Sequence, residues 1–196
     1  DTRTPVKLMA GWRIEDVDIG TWDGRTFSVG NTTYTASEET LLSREKPTGF
    51  DGGVISSFVA GIALYTRDYE PDPDSGLLID TTIEYAGNGT GSDYNYVRHT
   101  SEIRIYFPVC SPLTMAVRLG YTSIYQNAPF FEKDTFMFFF EEQSGLGGSE
   151  TNRGYRKKRF VADTMTLANI ELRLKIGKIS FFQQNFALKA VLFADA

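Results

Sequence analysis

The residues with the most chemical potential lie in one long polar stretch, 126–164. It carries Gly145-Leu146-Gly147-Gly148-Ser149 and then Arg153-Gly154-Tyr155-Arg156-Lys157-Lys158-Arg159-Phe160. Glycines followed by a dense cationic and aromatic cluster describe a loop that folds back tightly and plants charge in a polar cavity. That chemistry is charge pairing and recognition rather than bond making. Other candidates are weaker. One His and one Cys in 196 residues remove disulfide frameworks, cysteine zinc clusters and any site built from two imidazoles. His99 falls on the apolar face of its stretch near one end, which fits an interfacial histidine better than a hydrolytic triad. Asp68, Asp72 and Asp74 lack a glutamate at calcium-loop spacing and are interleaved with Pro71 and Pro73, so they read as a solvated turn. Cys110 sits in a proline-flanked turn as a lone thiol. No cofactor and no metal is expected.

The elements that must position this loop are strands. Period-2 alternation recurs along the chain. In 113–125, Leu113, Met115, Val117, Leu119, Tyr121 and Tyr125 oppose Thr114, Ala116, Arg118, Gly120 and Thr122. In 97–109, Val97, Ile103, Ile105, Phe107 and Val109 oppose Arg98, Thr100, Glu102, Arg104 and Tyr106. Stretches 6–17, 54–66, 76–86, 165–176 and 186–196 follow the same scheme, and in the last of them Asp195 shares the polar face with Lys189. About seven strands are expected and no long helix, with one helical turn at 37–42 capped by Ser37. Short turns at 67–75, 107–112 and 177–185 interleave with long loops at about 18–53, 87–96 and 126–164. In an up-and-down sheet this puts all the long loops at one end and all the short turns at the other, the asymmetry of outer-membrane barrels.

Composition sets the outer limits. A net charge of −5 supplies no basic footprint for nucleic acid. No run approaches the roughly 18 apolar residues of a membrane-spanning helix, and the densest is Phe136 to Phe140. A membrane strand needs only about 9–11 alternating residues. A soluble barrel or sandwich alternates too, with its apolar face inward. Opposite charges on the polar faces (Arg98, Glu102, Arg104, Arg118, Glu171, Arg173) fit a wet lumen. Aromatics near strand ends (Tyr94, Tyr96, Phe107, Tyr121, Tyr125, Phe181, Phe182) fit an interfacial girdle. The chain starts at Asp1 without a leader and stops within an alternating stretch, so it is expected to be a piece of a larger barrel.

Three separated segments carry a family resemblance. Tyr65-Thr66-Arg67-Asp68 with Pro73, Ser75 and Gly76 looks like a strand–turn–strand signature. Pro129-Phe130, then Gly147-Gly148-Ser149, then Arg153-Gly154-Tyr155 is similar to an inward-folded sixth external loop. Asn169-Ile170-Glu171-Leu172-Arg173 and Phe193-Ala194-Asp195 match the strands that follow that loop. Together they resemble the BamA/TamA superfamily, the bacterial surface-antigen family of outer-membrane barrels. The resemblance implies an all-β, transmembrane, antiparallel up-and-down barrel. Residues 1–196 would be a partial barrel domain of about seven strands from a parent with roughly sixteen. It implies a non-enzymatic role in inserting, assembling or translocating outer-membrane proteins, in the outer membrane, with outer-membrane lipid and client proteins as partners and periplasmic or lipoprotein subunits as accessories. A passive porin-like channel, or the barrel of a fused or two-partner secretion protein, stays open as an alternative.

By the same resemblance Arg153, Gly154 and Tyr155 form the loop tip, and Arg153 reaches the lumenal Asp195. Gly154 would permit a tight backbone and Tyr155 would pack beside it. Gly147, Gly148, Arg159 and Phe160 would support the tip. Two departures stand out: the stretch from Pro129 to Gly147 is longer than in compact members, which implies an extra external excursion around Phe136 to Phe140, and Ala162 stands where a glycine is common.

Overall fold

The computed structural model describes residues 5–20, 25–35, 40–182 and 184–196. Seven strands form one open sheet: β1 (Val6–Val17), β4 (Gly53–Tyr65), β5 (Gly76–Ala86), β6 (Asn95–Cys110), β7 (Leu113–Asn127), β10 (Thr164–Phe181) and β11 (Gln184–Asp195), each antiparallel to its neighbour in that order. The four missing numbers are short strands in the loops. A ribbon of β2 (Thr26–Val29) and β3 (Thr32–Thr35) lies in the first long connection, and a ribbon of β8 (Thr135–Met137) and β9 (Glu142–Ser144) lies in the third. Order in the sheet follows order in the chain, so the topology is up-and-down.

The sheet is inside out relative to a water-soluble sandwich. Leu8, Ile14, Ile62, Ile83, Leu119, Ile170 and Leu192 are exposed, whereas Ser57, Asp80, Thr82, Glu84, Arg98, Thr100, Glu102, Thr122 and Asn169 are buried. Register explains how one face stays polar across the sheet: Ser57, Glu84 and Arg98 lie in neighbouring strands with their side chains on the same side, as do Thr82, Thr100 and Thr122. Because side chains alternate strictly, a one-residue slip would send charges outward and isoleucines inward. Burying polar groups while exposing apolar ones is unfavourable in water and favourable when the outer solvent is lipid. Among the described residues no helix is long and apolar enough to cross a membrane, which leaves spanning to the strands.

Several expectations shift. The helical turn is α1 (Leu41–Glu45), capped by Thr40, whose Oγ1 accepts from the Ser43 N–H at 3.2 Å; Ser37 lies outside the described residues. Most of the expected turn 177–185 is strand, because β10 continues to Phe181 past a register shift between Lys175 and Gly177 and β11 begins at Gln184. That shift restores outward placement to Ile179 after the simple alternation has been interrupted. Tyr96 is no girdle residue: it shares the lumenal parity of Arg98 and is wholly buried. The excursion around Phe136 to Phe140 does not project outward. Phe136 and Phe138 are buried with Met165, Leu167 and Leu146 in the lumen, and Phe139 N–H donates to Asp80 Oδ1 at 3.3 Å. Small wall residues make the room, since a Cβ on Gly120 would lie 3.2 Å from Phe138 and one on Gly61 3.1 Å from Phe139. Five apolar residues in a loop that faces polar lumen walls gain by packing on one another and on the apolar side chains of β10.

Candidate functional site

The connection between β7 and β10 runs through the lumen and meets the wall at three clusters of charge. Each cluster contains two arginines held by at least two carboxylates, and in each the loop contributes one member. Alternating strands place the wall members inward, while the loop supplies the residue that completes the set.

At the loop's foot, the short turn Phe130–Glu132 brings Glu132 between two arginines. Arg13 of β1 grips it in a fork, Nη2 to Oε1 at 2.8 Å and Nη1 to Oε2 at 3.1 Å. Arg98 of β6 donates from Nη2 to Oε2 at 2.5 Å and to the Glu132 carbonyl at 2.7 Å, and from Nη1 to Glu84 of β5 at 2.5 Å. Ser57 and Tyr96 hydroxyls fill remaining positions on the carboxylates. Burial alone would raise the Glu132 carboxyl, but the hydrogen bonds and charges of Arg13 and Arg98 outweigh it and hold it below the usual range.

The middle cluster joins Arg104 and Arg118 through Glu102. Arg104 Nε lies 2.7 Å from Glu102 Oε2, and Glu141, at the β8–β9 turn, contacts both arginines.

At the tip, Arg153 meets β11 and β10. Its Nε donates to Asp195 Oδ2 at 2.8 Å, its Nη2 to Asp195 Oδ1 at 2.6 Å, and its backbone N–H to Asp195 Oδ2 at 3.0 Å. Nη1 donates to Glu171 Oε1 at 2.5 Å, and Glu171 in turn accepts from Arg173 Nε at 2.8 Å. Asn169 Nδ2 bridges Asp195 Oδ1 at 2.9 Å and the Thr151 carbonyl at 2.8 Å. The guanidinium lies 3.7 Å from the centre of the Phe193 ring, a close cation–π contact. The hydrogen bonds that Arg153 donates to Asp195, with the one it donates to Glu171, raise its pKa above the ordinary value. A cavity of about 230 Å³ lies beside the pair, lined by Arg104, Arg118, Glu141, Arg153, Glu171 and Arg173.

The other expected residues separate by role. Gly147 and Gly148 hold positive φ of 110° and 97°, and a Cβ on Gly147 would press into the Arg156 carbonyl. Thr151 Oγ1 closes this turn, donating to the Gly147 carbonyl at 3.0 Å and accepting its N–H at 2.8 Å. The conformational freedom expected of Gly154 therefore resides at Gly147: Gly154 has no left-handed φ and open space where its Cβ would be. Tyr155 packs edge-on against Phe160 at 5.0 Å, both exposed, and Arg159 sits 5.8 Å from the Phe160 ring. Phe160 pairs its backbone with Leu146 at 3.0 and 3.1 Å, which clasps the loop's two limbs together. Arg153 and Asp195 are thus brought together, while Tyr155, Arg159 and Phe160 form a separate cluster beyond the tip. Glu171, Asn169, Thr151 and Phe193 complete the tip contacts without having been singled out. Their signal was present in part, because Asn169, Glu171 and Phe193 lie inside the two strand motifs that flank Asp195. Glu132 carried no local signal.

This arrangement agrees with what the chain is similar to. Residues 29–196 match the Omp85 superfamily domain. A crystal structure of BamA from Haemophilus ducreyi lacking POTRA domains 1–3 superposes with a TM-score of 0.58 at 16% identity, over 74% of this chain. The chain spans 30% of that protein's length, and the likeness at this identity is one of fold. No curated protein matches. With an outward apolar face, an inward loop and a family match over most of its residues, this chain belongs to the Omp85 superfamily, whose barrels lie in the outer membrane and serve protein assembly and translocation.

Proposed function

We propose that this chain forms part of a BamA/TamA-type barrel that inserts, assembles or translocates client outer-membrane proteins without enzymatic chemistry, with the Arg153 tip held on Asp195 as its working arrangement. The observation that carries this reading is the tip itself: one arginine makes three hydrogen bonds to Asp195 and one to Glu171 inside a lumen whose outer wall is apolar. A passive channel needs no fixed loop at this place. A bidentate arginine–carboxylate pair fixes direction as well as distance, so the loop tip is oriented and not merely tethered. Gly147 and Gly148 supply the turn that allows it, and Tyr155, Arg159 and Phe160 clasp the limbs beyond it. The outward face takes outer-membrane lipid, and clients together with periplasmic or lipoprotein accessory subunits are the protein partners this reading calls for.

The test uses the intact parent protein in lipid vesicles. Arg153→Ala should reduce client folding several-fold, read as heat-modifiable client on a gel, while the barrel itself remains inserted and folded. Unchanged client assembly in Arg153→Ala would overturn the tip as the working part, and absence of client assembly by the unmodified protein, with single-channel conductance unaffected by the substitution, would instead identify a passive pore.

A further inference from the structure

The three charge clusters lie in sequence across the whole sheet. Glu132 fastens the loop to β1 through Arg13 and to β5 and β6 through the Glu84–Arg98 pair. Glu141 fastens it to β6 and β7. Arg153 fastens it to β10 and β11. Twenty-odd residues of loop therefore touch both edge strands. In a flat sheet six inter-strand spacings would put β1 and β11 about 29 Å apart, a span an extended loop of this length could cover; here the loop is folded on itself, β8 on β9 and Leu146 on Phe160, so it holds both edges as a compact body. The opposite end of the sheet shows the same closure independently: in the turn between β4 and β5, Asp72 pairs with Lys189 of β11 and Asp74 with Lys175 of β10.

We infer that the loop is a brace that sets the curvature of the wall, with Glu132 and Arg13 as positioning residues at the end opposite Arg153. Arg13 is the informative member. Removing it leaves Glu132 seated on Arg98 and leaves the Arg153–Asp195 pair intact, so the loop's ionic tie to β1 is cut while Lys7 of β1 still lies 4.9 Å from the centre of the Phe140 ring. Arg13 also contacts Glu15 and Glu84, both on the wall, and among the described residues its pair with Glu132 is the foot cluster's link between the loop and β1. The inference concerns the shape of the wall and does not depend on which client, if any, the barrel assembles.

The experiment measures the separation of spin labels on outward positions of the two edge strands, Asp16 and Leu192, in the intact protein with the exposed Cys110 replaced by serine. In Arg13→Ala the mean separation should grow by about one strand spacing, about 5 Å, and the distribution should broaden. Arg13→Lys, which keeps the charge but not the fork, should fall between. A distribution in Arg13→Ala identical to that of the unmodified protein would overturn the brace. Should Arg13→Ala fail to fold, Arg13→Gln is measured in its place, and an unchanged distribution there overturns the inference equally. Client assembly measured on the same samples separates the two readings: the tip pair is intact in Arg13→Ala, so a wall that widens while assembly persists supports the brace and leaves the tip reading standing, and an unchanged separation overturns the brace whatever the assembly.

Discussion

At the foot of the lumenal loop, Arg98, Glu84 and Glu132 have only 1–3% of their side-chain surface exposed, and Arg13 closes the set from β1. At its tip two arginines and two carboxylates meet again, but Arg153 and Arg173 each keep 23% of their side-chain surface open and Glu171 18%, with Asp195 at 7%; in the foot only Arg13, at 21%, is comparably open. Equal charge with unequal burial changes what holds each end. In the dry foot the charges have lost their water, so each depends wholly on the others, and removing one leaves an uncompensated charge. In the half-open tip, water and salt share the screening, and the fixed geometry of the arginine fork carries more of the specificity than the energy does. The foot is the part that must form for the loop to sit in the lumen, and the tip is the part that can exchange partners.

The largest way to break this comparison is Arg98→Ala, which leaves the buried Glu84 and Glu132 to share the single charge of Arg13. We expect a loss of about 3–5 kcal/mol in unfolding free energy, measured by urea titration of the intact barrel in lipid. Asp195→Ala removes the tip's chief acceptor but leaves Glu171 beside a partly hydrated Arg153, so the loss should stay near the lower limit, about 3 kcal/mol. It should also shrink as sodium chloride is raised, whereas the Arg98→Ala loss should not. Equal losses with equal salt dependence would erase the distinction. Gly147→Ala forces a side chain into a left-handed turn against the Arg156 carbonyl and should cost about 1–3 kcal/mol, while Gly154→Ala, with open space and no left-handed φ, should stay within about 0.5 kcal/mol.

Acid gives the finest separation. Glu132 has a lowered folded pKa, so its contribution is complete above the unfolded glutamate value of about 4.3 and is lost as pH falls through the folded value. Stability followed from pH 6 to pH 3 should therefore fall only below about pH 4, and Glu132→Gln should flatten that part of the profile. A profile unchanged by Glu132→Gln would remove the foot from the acid response.

Much of this was legible because period-2 alternation is a local property. The inward parity of Arg98, Glu102, Arg118 and Glu171 follows from counting along a strand, and so does the outward parity of Leu119 and Ile170. The Arg153–Asp195 pair was legible in a different way, through motifs around two distant positions. The Phe136 to Phe140 segment was misplaced because a loop has no periodicity to tell which side of the wall it takes. Only the lumenal gaps left by Gly61 and Gly120, beside Leu167, show where those rings fit.

By itself the sequence determined which way most strand residues face, the seven strands of the main sheet, and that the loop after β7 carries a charged tip for the strand ending in Asp195. Tertiary structure alone decided that Glu132 belongs to the same machinery, since its partners Arg13 and Arg98 lie 119 and 34 residues away and meet it only when the sheet curls. It likewise decided that Gly147, not Gly154, bears the turn. The physical reason is common to both: alternation fixes the direction of each side chain, but which inward charges meet across a lumen depends on curvature and on the path of a loop, and neither is written in neighbouring residues.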